Sequence, residues 1–225
     1  MAKNKLRRFA EMKEMPHVFE PSMDDIKSGG VDFKGKWHKN VFKNNNPIVL
    51  ELGCGKGEYS VGLARQTPGK NFVGVDIKGA RMWVGACQAQ EENLENVVFL
   101  RTKVDFIDRL FAPNEVDEIW LTFSDPQPNK PNKRLTAATF IERYRSILKK
   151  GGIVHLKTDS DILFEFTEQE IKERGYPCNY LTWDVYKDLA QFPEEFQETL
   201  NIKTHYEALF SSKGSVIKYA QFQIN

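Results

Sequence analysis

The sequence predicts an α/β domain built on a doubly wound, mostly parallel sheet with an antiparallel C-terminal strand. Three observations predict it. From about residue 47, short apolar, β-branched runs alternate with longer helical stretches, the pattern of a parallel sheet covered on both faces. The first run ends in a glycine-rich turn, Gly53-Cys54-Gly55-Lys56-Gly57, where such sheets receive ligands. Near the C-terminus two apolar runs fall close together, which suits strands added antiparallel at one edge.

Taken in order, the strand candidates are Ile48–Leu52, Phe72–Ile77, Val97–Arg101, Glu118–Phe123 and Ile153–Lys157. Between them lie helix candidates near Tyr59–Gln66 and Lys78–Glu95, a short one after Asp105, and Ala137–Lys149. A helix near Asp161–Arg174 follows, with Asp161 as its cap and Gly175 as its stop. Tyr180–Tyr186 and Val216–Ile224 are the late strands, with a helical stretch around Glu194–Phe210 between them. No repeat and no Pro/Gly-rich linker divides the chain. The expected organisation is a basic N-terminal arm, 1–40, and one domain, 41–225.

Composition excludes several classes. With 40% hydrophobic and 28% charged residues in 225, the chain can bury a sizeable core, and disorder is not its main state. No apolar run approaches the ~18 residues of a membrane span. The first fifteen residues carry Lys3, Lys5, Arg7 and Arg8 without an apolar stretch, so a secretory signal is not expected. Cys54, Cys87 and Cys178 lie far apart and odd in number, which excludes a disulfide framework or a cysteine-built metal site and suits a cytoplasmic protein.

The net charge of +1 hides a segregation. Residues 1–43 hold ten Lys/Arg against six Asp/Glu; residues 127–150 hold seven against one; residues 159–200 hold three against eleven. A single charge run is usually a solvated helix face. Two basic segments in a neutral chain raise the alternative of one face meeting phosphates, with Lys130, Lys133 and Arg134 beside the reacting group.

The glycine loop reads Glu51-Leu52-Gly53-Cys54-Gly55-Lys56-Gly57. Lys56 is followed by glycine, not Ser or Thr, so it is no triphosphate loop, and the G-x-G-x-x-G spacing of a dinucleotide fingerprint is not met. Carboxylates at Glu51 and Glu58 suit a cofactor with a cationic part. S-adenosylmethionine carries a sulfonium and an ammonium and no phosphate. The second strand ends at Asp76, 23 positions after Gly53, where a carboxylate can accept from vicinal ribose hydroxyls. A glycine turn without ligand is the bland alternative.

Glu51, Asp76, Asp125 and Asp159 stand at the carboxyl ends of four strands, and Asp105 lies just past the third. One such Asp is usually a helix cap. Four or five on one rim mark a site. Asp125 belongs to Ser124-Asp125-Pro126-Gln127-Pro128-Asn129-Lys130-Pro131, where three prolines hold the turn stiff. The four histidines are scattered and form no metal-binding pattern, so no metal is expected. Methylation of a ring nitrogen with a free lone pair, such as guanine N7, requires neither metal nor strong base. Positioning and a carboxylate that stabilises the cationic purine are sufficient.

From about residue 40 onward the sequence resembles the bacterial tRNA (guanine-N7-)-methyltransferases, Rossmann-like class I S-adenosylmethionine-dependent enzymes. The resemblance rests on Glu51–Gly57, Phe123-Ser124-Asp125-Pro126, Lys157-Thr158-Asp159, and Thr204-His205-Tyr206-Glu207 followed by Lys213-Gly214-Ser215-Val216-Ile217. It implies methylation of a guanosine in the tRNA variable loop with S-adenosyl-L-methionine as donor and tRNA as partner. By that resemblance Asp125 is the catalytic candidate. Glu51, Gly53, Gly55, Asp76, Lys103, Asp105 and Asp125 line the cofactor, and Asn129, Lys130, Asp159, Thr204, Tyr206 and Glu207 meet the substrate. The chain departs from the family where Gln127, Pro128 and Asn129 replace the usual Trp and Pro-Lys run. The alternatives are methylation of another RNA site or a small molecule, or RNA binding without catalysis. An NAD-dependent oxidoreductase is disfavoured by the glycine spacing. Monomer and homodimer both remain open.

Overall fold

A computed structural model describes residues 2–212 and 214–225; Lys213, from the last family block, lies outside the described residues. Ala2–Glu14 forms α1, Val18–Phe19 β1 and Met23–Ser28 α2. Ile48–Leu52 is β2, Glu58–Gln66 α3, Asn71–Asp76 β3, Gly79–Glu91 α4 and Val97–Arg101 β4. Ile107–Leu110 is α5, Val116–Thr122 β5, Ala138–Ile147 α6, Leu148–Thr158 β6 and Asp161–Arg174 α7. Cys178–Thr182 is β7, Glu194–Leu200 α8, His205–Ser211 α9 and Lys218–Gln223 β8.

The eight strands form one sheet in the order β1-β4-β3-β2-β5-β6-β8-β7. All pairs from β1 to β6 are parallel; β8 runs antiparallel to both β6 and β7. The predicted doubly wound α/β class is therefore the observed one, with one late strand, β8, inserted antiparallel to both of its neighbours.

Alternation along each strand builds the two faces. Leu50, Val73, Leu100, Leu121 and Leu156 enter one apolar cluster, while Val49, Phe72, Phe99 and Trp120 enter the other. Both faces are covered by helices, as a parallel sheet requires. Among the described residues no helix is long and apolar enough to cross a membrane.

Several boundaries differ from expectation: β7 is Cys178–Thr182 and not Tyr180–Tyr186, the stretch Glu194–Phe210 is two helices, and three further differences bear on the site. The expected arm packs onto the sheet: Met12 and Trp37 are fully buried, and Trp37 stacks on Phe111 at 4.7 Å. Its basic residues are partly structural, since Arg8 donates to the Ala80 carbonyl at 2.9 Å and covers the Trp83 ring. Strand β6 begins at Leu148, five residues early, because Leu148 pairs with Val116 and Lys149 reaches Asp117 at 2.8 Å. Helix α7 is capped by Ser160, whose hydroxyl accepts from Leu163 N, so Asp161 stands inside the first turn; Gly175 ends the helix at φ 63° as expected.

Candidate active site

Strands β2, β3 and β4 succeed one another toward one edge, and β5 and β6 toward the other. The winding reverses between β2 and β5, so the loops leaving those strands diverge and leave a crevice at their carboxyl ends. A cleft of about 660 Å³ opens there, lined by residues from the glycine loop, the ends of β3 and β4, the Ser124–Pro131 loop and α9.

Two glycines shape the loop beneath it. Gly53 lies at φ 83°, a backbone conformation that strains any L side chain, and its N–H bonds the Val75 carbonyl at 2.7 Å. Gly57, at φ 73°, passes so close to β4 and α4 that a Cβ would stand 2.5 Å from the Phe99 ring and 3.3 Å from Gly85. Asp76 locks the loop from the next strand. Its Oδ2 accepts from Gly55 N at 2.9 Å and its Oδ1 from Lys78 N at 2.7 Å. The carboxylate is thus fixed at the cleft wall with lone pairs to spare for hydroxyls.

Glu51 is only 3% exposed, facing the side of the sheet that α3 covers. It accepts from Ser60 N at 2.8 Å, from the Ser60 hydroxyl and from the Thr122 hydroxyl. Burial pushes its carboxyl up to about 7 despite these donors. A folded-state value above the ordinary 4.5 means the folded protein holds more protons between the two, so stability falls as pH rises from about 4.5 to about 7. Glu51→Gln is expected to flatten that fall in urea denaturation between pH 5 and 7. An unchanged slope would show that Glu51 ionises freely in the folded protein.

The loop after β5 is held in an uncommon backbone. Phe123 and Gln127 both take positive φ, 50° and 44°. Asp125 Oδ1 accepts from Gln127 N at 2.9 Å, closing an Asx turn, while the Asp125 side chain stays exposed at the cleft. Arg134, expected at the phosphates, is instead 6% exposed. Its Nε donates to the Pro126 carbonyl at 2.9 Å and its guanidinium lies 4.7 Å from the Phe166 ring centre, so it staples the proline loop to α7. We expect Arg134→Ala to lower stability by about 1.5–3 kcal/mol, the scale of a lost charged hydrogen bond, read by thermal denaturation. Turnover should fall more than RNA affinity; the reverse split would put Arg134 back among the phosphate contacts.

Helix α9 closes the opposite wall. Thr204 caps it by accepting from Glu207 N at 3.1 Å, and Glu58 accepts from His205 N at 2.8 Å, pinning α9 to the start of α3. Glu207 itself does not reach the cleft. It is 0% exposed, accepts from Lys157 at 2.9 Å and Lys203 at 3.2 Å, and takes the Tyr186 hydroxyl as a third donor. Burial and this carboxylate push the Tyr186 phenol well up, so it remains a donor. Lys157, also 0% exposed, donates further to the Leu200 carbonyl at 2.7 Å. Burial lowers its ammonium to about 8.

A family model described as a putative methyltransferase matches residues 45–220. The tRNA (guanine-N(7)-)-methyltransferase of Bacteroides fragilis (strain YCH46) is 53% identical over 223 residues, covering 99% of this chain and 86% of that protein. The chain belongs to the tRNA (guanine-N7-)-methyltransferase family. The Bacillus subtilis (strain 168) protein of the same name is 34% identical over 198 residues, 87% of this chain and 89% of that one. Among solved structures, the 16S rRNA methyltransferase KamB superposes with a TM-score of 0.62 at 15% identity, over 85% of this chain and 94% of that one, a likeness of fold.

The cleft of this methyltransferase fits its cofactor, S-adenosyl-L-methionine. Glu51, Glu58, Asp76, Asp105 and Asp125 line it, a donor set for a sulfonium and an ammonium. Gly53, Gly55 and Lys103 line it too, and Ser124 Oγ, buried on its wall, has no partner in the protein. Ile77, 48% exposed, presents apolar surface to the cleft beside Asp76. Sequence reasoning missed Ile77; its place directly after a strand-ending acid was the available signal, but its exposure was not legible. Of the expected substrate residues, Lys130, Thr204 and Tyr206 line the cleft. Asn129 is exposed next to it. Asp159 is half-buried outside the lining, its carboxyl raised by burial and its carbonyl accepting from Lys218 at 2.8 Å. Glu207 is corrected from a substrate contact to a buried anchor, because its carboxylate is occupied by three donors. Among the described residues no cluster suits a metal ion.

Proposed function

We propose that this chain transfers a methyl group from S-adenosyl-L-methionine to N7 of a guanosine in the variable loop of tRNA, acting in the cytoplasm. The observation that carries the reading is Asp125, an exposed carboxylate on a stapled turn that opens into the same cleft as Asp76. Membership of the family supports the reaction, since the relative at 53% identity is named for it. When bound, the cofactor supplies an electrophilic methyl group on a sulfonium. Guanine N7 has a free lone pair, so no residue need remove a proton before it attacks.

The residues then have separate tasks. Asp76 holds the ribose hydroxyls, and the glycine loop lets the cofactor approach the main chain. Asp125 keeps Oδ2 free of its own turn; that oxygen accepts from the guanine Watson–Crick edge and stabilises the positive charge that grows on the purine. Tyr206 offers its ring to the base from α9, and Lys130 and Asn129 meet the flanking RNA. Unmodified tRNA incubated with methyl-labelled cofactor tests the reading. Label in the tRNA, with borohydride and aniline cleaving at a variable-loop guanosine, is the expected result. Labelled cleavage elsewhere would move the site, and no label would sink the enzyme reading.

A further inference from the structure

We infer that a second, cationic pocket beside the active cleft binds a phosphodiester group of the tRNA strand adjoining the target guanosine; this rests on the function proposed above. The pocket holds about 380 Å³ and is lined by Lys103, Asp105, Phe106, Arg109, Lys133 and Arg143. Lys103, Asp105 and Lys133 also line the active cleft, so the two cavities share a wall.

Four cations meet one carboxylate there, and the carboxylate is weakly engaged: Lys133 stands 4.0 Å from Asp105, both well exposed. Arg143 is the organised member. Its Nη1 bonds both oxygens of Asp108, at 3.1 and 3.0 Å, and its buried Nε–H has no partner in the protein. Lys34 adds a fifth positive charge behind it, donating to the Asp108 carbonyl at 3.4 Å. Among the described residues Lys103 and Arg109 have no carboxylate within 4.0 Å. Lys103 precedes the short turn Val104–Phe106 and Arg109 lies on α5, so two uncompensated cations flank the organised Arg143, and guanidinium groups suit phosphate oxygens.

The neighbouring cleft has the opposite preference. Its carboxylates favour a cationic cofactor. A nucleoside whose base lies in that cleft carries its own phosphates one bond beyond the sugar, across the shared wall. The sign of charge thus changes along the path the RNA strand must follow, which fits a polymer of alternating base and phosphate better than a free small anion.

The test measures tRNA affinity against salt, with the double variant Arg109→Ala/Arg143→Gln and the single variant Arg109→Ala. For each cation withdrawn from a phosphate, the log–log salt slope should become shallower by about 0.7–0.9 and binding should weaken about fivefold near 0.15 M salt. KM for tRNA should rise by the same factor, with kcat and cofactor affinity within about twofold. Wild-type slope and affinity in both variants would overturn the inference. Should the double variant lose cofactor affinity, Arg109→Ala decides alone, because that side chain is exposed and makes no ion pair. Tight inhibition by inorganic phosphate with an unchanged tRNA slope would assign the pocket to a free anion and overturn it. If the wild type neither binds nor methylates tRNA, the proposed function fails first and takes this inference with it.

Discussion

Asp125→Ala is expected to lower the methylation rate by about 10²–10³-fold, the scale on which one group stabilising transition-state charge acts. The melting temperature should change little. The Asp125 side chain is exposed, and its one bond within the protein is the turn it closes with Gln127. Asp125→Asn separates the two tasks. An amide oxygen can still accept from Gln127 N, but the negative charge is gone. If charge stabilisation is the task, Asn should be nearly as slow as Ala. Recovery with Asn would reduce Asp125 to a turn residue, and near-normal turnover with Ala would remove it from the mechanism.

Lys157→Met is expected to cost about 3–5 kcal/mol, because it leaves a carboxylate fully buried with one of its cations missing. For a chain of this size that corresponds to a fall in melting temperature of about 10 °C. The partial cover given by Lys203 and Tyr186 places the effect toward the lower end. The double variant Lys157→Met/Glu207→Gln should lose much less than the two single changes added together, since the second change removes the orphaned charge. Additive losses would show that the pair is not coupled. Active-site consequences should follow: Glu207 sits on α9 with Thr204 and Tyr206, so a loosened pair lets that wall of the cleft drift.

Much of the fold was legible because its signals are local. The runs Ile48–Leu52 and Val97–Arg101 are strands at the predicted bounds, and Gly175 ends α7, since periodicity and glycine chemistry act within a few residues. The late start assigned to β6 shows the limit. Lys149-Lys150-Gly151-Gly152 looks like the end of a helix, yet pairing of Leu148 with Val116 makes it strand, and no local signal reports a partner some thirty residues away. The cleft was legible in part. Glu51, Asp76 and Asp125 stand on the expected rim because residues at strand ends share one edge in a parallel sheet. Arg134 and Glu207 could not be assigned correctly, because a charged residue in a sequence carries no mark of whether its partner is solvent, phosphate or a buried side chain.

The sequence alone therefore determined the class of fold, the glycine loop and the acidic rim, each a matter of spacing along one strand and its following turn. It also determined the family, through blocks that stand in order along the chain. Tertiary structure decided which charges work at the surface and which are consumed inside. Glu51, Thr122, Lys157 and Glu207 form a buried polar row beneath the cleft because Thr122 pairs with Lys157 in register and α9 folds back over both. The reason is that burial and charge compensation depend on neighbours brought from 50 residues away or more. Such distances are set by packing, after the local signals have been spent.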